Sequence, residues 1–162
     1  MGIHLYRIDD RLIHGQVVVG WGQPLNIRFL VLVDDLVASS DWEKDLYRMA
    51  VPPEMEIYFA DVGTAIRNHA QYASDPRPGL LITGDISSMQ RLVKGVKAIG
   101  SVNLGGIHHR AGRVEKLRYV FLTPDEEYQL RDLEAAGVEV TAQDVPSARA
   151  RPLSEVLEGE SL

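Results

Sequence analysis

The chain contains no cysteine in its 162 residues. That absence excludes a disulfide framework, a thiol nucleophile and any thiolate metal site, and it suits a cytoplasmic protein. Nor is there a basic surplus: 17 Lys and Arg stand against 23 Asp and Glu, a formal net charge of −6. Duplex nucleic acid is bound through a clustered basic face, so no nucleic-acid partner is expected. No run approaches the roughly 18 consecutive apolar residues of a membrane span. The opening "MGIHLYRIDD" has no basic segment leading into an apolar one, and position 6 is Tyr where a myristoylation motif wants Ser or Thr. GxGxxG, GxxxxGK[ST] and GxSxG are all missing, which removes the marks of dinucleotide, P-loop and serine-hydrolase sites. Linkers, repeats and low-complexity segments are missing too. The expectation is one soluble, intracellular domain over 1–162, its last few residues frayed.

What is present is an alternation of short apolar runs and amphipathic segments. "IHLYRI" (3–8), "RFLVLVDD" (28–35), "EMEIYFA" (54–60), "PGLLITGD" (78–85), "SVNLGG" (101–106) and "VEVTAQDV" (138–145) read as strands. The second and fourth have the unbroken apolarity of strands covered on both faces. Ser40 and Glu43 stand in capping-box spacing before Trp42, Leu46, Met49 and Ala50, and Pro52–Pro53 closes that helix. Asp61 caps a helix through about Tyr72. Met89, Leu92, Val93, Val96 and Ile99 form a helical stripe that predicts a helix running to Gly100. "RVEKLRYVFL" (113–122) reads as a strand pair or one irregular strand. Thr123-Pro124-Asp125-Glu126 starts a helix that Gly137 ends. The tail "LSEVLEGESL" holds about one helical turn. This pattern predicts an α/β fold: an open, mostly parallel β-sheet flanked by helices on both faces. Such sheets bind ligands beyond the carboxyl ends of their strands, so the loops of interest are 9–16, 34–39, 83–87 and 104–112.

The first of these, "RIDDRLIHGQV" (7–17), places His14 among charges and before Gly15. An imidazole nitrogen is a competent nucleophile, Arg11 offers a planar fork to phosphate oxygens, and glycine lets backbone N–H groups approach a ligand. Asp9 and Asp10 are placed to orient the ring or fix its tautomer. From spacing alone, a surface loop whose charges pair with one another is the simpler reading. The next stretch, "GQVVVGWGQP", carries strand propensity, yet a loop followed by a helix uses Gly15 better and stops at Pro24. Asp34 and Asp35 sit in the second loop. In the third, Thr83, Gly84 and Asp85 precede a helix N-terminus, which suits an anion as well as an ordinary capped turn. In the fourth, Gly105 and Gly106 lead into His108 and His109. Adjacent histidines in extended chain point to opposite sides and chelate poorly, so no metal is expected there. That loop reads as an exposed connection or as a border of the His14 site. His4 and His69 read as passengers of a strand and a helix.

"RIDDRLIHGQV" resembles the signature of the IIB subunit of mannose/fructose/sorbose-type bacterial sugar phosphotransferase systems (PTS). "VLVDDLVASSDWEKDLYRMAVP" and "SVNLGG" resemble later elements of the same family, so the likeness runs along nearly the whole chain. The resemblance implies that His14 receives a phosphoryl group from a phosphohistidine of a IIA subunit. It then passes the group to a sugar at the membrane IIC/IID subunits, with Arg11 stabilising the phosphate. Asp10, Gly15 and Gln16 take supporting roles, and Nδ1 is the ring position used. It further implies a phosphotransferase that needs no cofactor or metal, works in the cytoplasm and attaches peripherally to the transporter; homo-oligomer formation stays open. "LLITGDIS" differs from the Asn-Pro-type loop of many members, and "GGIHHRAGR" is richer in His and Arg than usual. A regulatory phosphoprotein without sugar transport is the alternative within the family, and an unrelated small-ligand module the alternative outside it.

Overall fold

Phe29 to Val33 are fully buried without alternation, because both faces of their strand are covered. The computed structural model describes residues 2–158, apart from the side chain of Gln16; the expected frayed end lies outside the described residues. The strand β2 (Phe29–Val33) pairs in parallel with β3 (Glu56–Ala60) and β4 (Pro78–Thr83). On the other side of β4 lies β1 (Gly2–Ile8), then β5 (Ser101–Leu104) and β8 (Glu139–Ala142), all parallel. The two-residue β9 (Arg151–Pro152) closes that edge antiparallel, giving the order β3-β2-β4-β1-β5-β8-β9. A separate hairpin, β6 (Val114–Leu117) and β7 (Val120–Leu122), takes up the 113–122 segment as a strand pair.

Successive side chains of a strand enter opposite layers, so β2 divides between two cores. Phe29, Val31 and Val33 pack into the layer formed with α3 (Val62–Ser74), α4 (Ile86–Gly95), α5 (Pro124–Ala135) and α6 (Leu153–Glu158). Leu30 and Leu32 pack with Val17, Val18, Trp21 and Val37 on the other face. That second cover contains α1 (Asp35–Ala38) and, beyond it, α2 (Asp41–Ala50) with Ser40 as cap. The capping box on α5 is complete, since Thr123 Oγ1 accepts Glu126 N–H at 3.1 Å and Glu126 Oε1 accepts Thr123 N–H at 2.9 Å. Gly137 follows that helix with φ +92°, a conformation that favours glycine.

Several boundaries differ from the sequence expectation. The strand expected over 28–35 stops at Val33, because Asp34 accepts the N–H groups of Leu36 and Val37 and so begins α1. The helix expected to reach Gly100 ends at Gly95. Val96 is extended, and a Cβ on Gly95 would overlap Ile66 of α3. Val96 and Ile99 are still buried, so turn residues complete the apolar stripe that suggested a longer helix. The strand expected over 138–145 is the shorter β8, and its last residues turn into a loop.

The valine-rich stretch after His14 is helical despite its strand propensity. It forms a π-helix, Gln16–Gly22, which seats Val17, Val18 and Trp21 on the sheet and leaves Val19 exposed. Such helices are rare and often occur at functional sites. From β1 the chain crosses toward β2, whereas from β5 it proceeds toward β8. The topological switch therefore falls between β1 and β5, where open sheets carry ligands.

Candidate functional site

The carboxyl ends of β4, β1 and β5 are laced by backbone bonds. Asp9 N–H donates to Thr83 O at 2.9 Å, Gly105 N–H to Ile8 O at 2.7 Å, and Asp10 N–H to Gly106 O at 2.8 Å. Leu12 N–H then turns back to Asp9 O at 2.9 Å, with Leu12 at φ 57°, an unusual left-handed conformation for a leucine. Burial of the Leu12 side chain beside Gly84 secures that turn. The tight reversal brings the ring of His14 back over Asp9.

Asp9 is the centre of the arrangement and is 1% exposed. Its Oδ2 lies 3.3 Å from His14 Nε2 and 3.2 Å from Arg7 Nη2, while Oδ1 accepts the Arg11 N–H at 3.1 Å. Burial pushes this carboxyl up. The His14 contact, the Arg7 charge and the Arg11 amide together outweigh it and hold Asp9 below the usual carboxylate range. His14 Nε2 is itself buried and not aligned for a full hydrogen bond. Contacts of this kind often tighten only when a reacting group arrives.

Arg7 supports Asp9 from below. It is 1% exposed, in the middle of an otherwise strand-like segment. One guanidinium nitrogen donates to Asn103 Oδ1 and to Gln143 O (2.9 Å), the other to Asp9 and to Asp144 O (3.2 Å). The group lies 5.0 Å over the Trp21 ring, whose Nε1–H donates to the same Asp144 carbonyl at 3.0 Å. Burial lowers the Arg7 pKa, with Asp9 acting in the opposite direction. A Cβ on Gly105 would overlap the guanidinium, so the first glycine of "NLGG" makes room for Arg7.

The residues expected from the sequence divide. Arg11 is exposed, three residues before His14. Gly15 is exposed with a right-handed backbone, and open space surrounds the position a Cβ would take. The side chain of Gln16 lies outside the described residues. Asp10 has a partner other than His14: its two oxygens hold the N–H and Nδ1 of His108. Gly106 lies between that pair and Asp9. Thr83 and Gly84 border the turn, Thr83 through its carbonyl and Gly84 through Leu12 and Asp34. Asp34 and Asp85 cap α1 and α4, and Asp35 accepts Val62 N–H and pairs with Arg91, so their bonds serve neighbouring helices. His69, on α3, meets Tyr6 Oη of β1 through its Nε2 at 2.6 Å. Sequence reasoning missed Arg7, Trp21 and Asn103. An arginine inside an apolar strand was the signal available, because a buried charge demands partners. Among the described residues no cluster of three or more His, Asp or Glu side chains is placed to hold a metal ion.

A parallel α/β protein with a histidine–aspartate pair at its switch point is the class that fold and site define. The model of the "PTS system sorbose subfamily IIB component" matches residues 3–162, and the chain belongs to that family. It is 32% identical over 159 residues to the "PTS system sorbose-specific EIIB component" of Lacticaseibacillus casei, covering 97% of this chain and 94% of that one. It is 36% identical over 147 residues to the "PTS system mannose-specific EIIAB component" of Escherichia coli K12, covering 90% of this chain. The chain spans only 45% of the length of that relative. Among solved structures, manxB from Thermoanaerobacter tengcongensis superposes with a TM-score of 0.88 at 30% identity, over 99% of this chain and 97% of the other. The IIBSor domain of the sorbose permease from Klebsiella pneumoniae gives 0.88 at 28% identity over the whole of both chains. The chain is thus a IIB component of the phosphotransferase system, as the "RIDDRLIHGQV" resemblance implied. No described helix is long and apolar enough to cross a membrane.

Proposed function

We propose that His14 carries a phosphoryl group between a phosphohistidine of a IIA partner and a sugar held by the IIC/IID membrane subunits. The chain then acts as a phosphotransferase on the cytoplasmic side of the transporter, attached peripherally to it, and extends over 1–162 as one IIB domain. The observation that carries this reading is the approach of Asp9 to His14 Nε2 at 3.3 Å. A carboxylate on Nε2 favours the tautomer with its proton there, which leaves the Nδ1 lone pair as nucleophile. In transfer, the P–N bond to the donor histidine breaks as the P–Nδ1 bond to His14 forms. The positive charge that develops on the ring is met at Nε2 by Asp9. Arg7 keeps that carboxylate ionised, and so acts on His14 from a distance.

Arg11, exposed three residues before His14, supplies a guanidinium to the phosphoryl oxygens as the group moves. Phosphoryl transfer consists mainly of positioning and charge stabilisation, so these groups suffice without a metal or nucleotide. The His14 side chain is 17% exposed, and a shallow site is what successive macromolecular donors and acceptors require.

The test is phosphorylation from phosphoenolpyruvate through the general PTS proteins and a cognate IIA. The wild type is expected to gain an acid-labile phosphate on Nδ1, visible by ³¹P NMR, and His14→Ala none. Failure of the folded wild type to accept phosphate from that donor refutes the reading.

A further inference from the structure

The loop between β5 and β6 returns over the end of β1 and is tied there by Asp10. Asp10 Oδ2 accepts the His108 N–H at 2.7 Å, and Oδ1 lies 2.6 Å from His108 Nδ1. Arg113 donates to the His108 carbonyl at 2.8 Å and pairs with Glu126 at the start of α5. Two anchors therefore fix the backbone of His108, while its side chain is 52% exposed. A carboxylate at Nδ1 holds a proton on that nitrogen and turns the other edge of the ring, with Nε2, away from Asp10.

Gly106 sets the distance to the His14 site. The position its Cβ would occupy is 3.2 Å from His108 Cε1 and 3.6 Å from Asp9 Oδ1. The His108 ring and the carboxylate that holds His14 are thus neighbours across one missing methyl group. Charge gives this juxtaposition a use. Asp9 and Asp10 are consecutive carboxylates at the place where, on the reading above, a phosphoryl dianion is formed. Like charges so close repel strongly in a partly dehydrated site. Arg7 is the fixed counter-charge of Asp9, and His108 stands in the corresponding place for Asp10.

We propose that His108 is a further residue of the phosphoryl-transfer site: clamped through Nδ1 by Asp10, its imidazolium donates from Nε2 to a non-bridging oxygen of the phosphoryl group on His14. The proposal rests on His14 being the phosphoryl carrier. The charged groups facing His108 are Asp10 from the β1 loop, Asp9 behind Gly106, and Arg113 with its partner Glu126; Arg110 and His109 are exposed on the same loop. Arrival of the phosphoryl group adds negative charge to this set, which strengthens its attraction for a hydrogen-bond donor at His108 Nε2.

The test follows the histidine rings of the full chain by ¹H–¹⁵N NMR over a pH series, before and after phosphorylation by the IIA donor, alongside rates for His108→Ala and His109→Ala. Phosphorylation is expected to shift the His108 ring ¹⁵N signals, that of Nε2 most, as this nitrogen gains an acceptor. His108→Ala is expected to slow transfer about tenfold and to shorten the life of the phosphohistidine, as loss of a charge-assisted hydrogen bond does. His109→Ala, altering the adjacent residue of the same loop, is expected to transfer at the wild-type rate. A phosphorylated His14 beside an unresponsive His108, with His108→Ala transferring at the wild-type rate, overturns this inference alone. A wild type that accepts no phosphate overturns it together with the His14 reading.

Discussion

Arg7→Met is the sharpest test of how the site is built, because it removes the buried cation and keeps an unbranched side chain of similar length. The wild-type guanidinium is 1% exposed and meets Asn103, the carbonyls of Gln143 and Asp144, and Asp9. Methionine satisfies none of these acceptors, and the Asp9 carboxylate is left buried without its counter-charge. Removing one partner of a buried ion pair costs about 3–5 kcal/mol. Against a typical total of about 5–15 kcal/mol, that is a large share of the stability of the fold. For a chain of this size each kcal/mol moves the midpoint by roughly 2–4 °C, so thermal unfolding is expected about 6–20 °C lower.

Urea unfolding at neutral pH measures the loss directly, and Arg7→Met/Asp9→Asn supplies the control. The double variant removes the orphaned charge and is expected to be more stable than the sum of the two single losses allows, by about 1 kcal/mol or more. The pH dependence has a definite sign. Asp9 is depressed from its ordinary 3.8, so its pairing is fully present above that value and is lost as pH falls through the lower folded value. The gap between wild type and Arg7→Met is therefore expected to narrow in acid. A loss below about 1 kcal/mol at neutral pH, with additive single variants, would show that Arg7 and Asp9 are not an interdependent buried pair.

Three further outcomes follow from the same geometry. Asp9→Asn keeps the shape but lets its amide donate to His14 Nε2, which moves the ring proton to Nδ1. Phosphoryl transfer assayed well below its unfolding midpoint is expected to fall at least about a hundredfold, and a rate within about threefold of wild type removes Asp9 from the mechanism. Gly105→Ala forces a methyl group onto the Arg7 guanidinium and is expected to cost about 1–3 kcal/mol in urea unfolding. Gly15→Ala has open space and a right-handed backbone, so it is expected to stay within about 0.5 kcal/mol of wild type, and equal losses at the two glycines contradict the packing described.

The sheet was legible because burial on two faces writes itself as unbroken apolar runs, and β2 and β4 are such runs. Helix starts were legible as well, since Ser40, Asp61, Asp85 and Thr123 each cap through a side-chain oxygen that has few other uses before an apolar stripe. Helix ends were harder. Gly95, the last residue of α4, is glycine because Ile66 of α3, some thirty positions away in the chain, approaches it too closely for a Cβ. The valine-rich helix was legible through Gly15 and Pro24 and not through its propensity, which favours a strand. Its helical form is sustained by Val17, Val18 and Trp21 packing on the sheet, a tertiary effect that overrides local preference.

The site shows the same division at the scale of single residues. His14 and its loop were readable as a local motif, but the roles of Asp9 and Asp10 depend on partners distant in sequence. Asp9 faces His14 because Arg7 and Asn103 fill the space beneath it, and Gly105 leaves that space open. Asp10 takes a different partner because His108 is brought back over β1 by a loop nearly a hundred residues later. Two identical consecutive side chains thus receive different duties from the parallel pairing of β1 with β5, which carries both Asn103 and the Gly105–Gly106 turn to the end of β1. A linear reading sees "DD" as one acidic pair. The fold separates it into an inner carboxylate that holds a nucleophile's tautomer and an outer one that holds a second imidazole, because each meets a different partner brought to the end of β1.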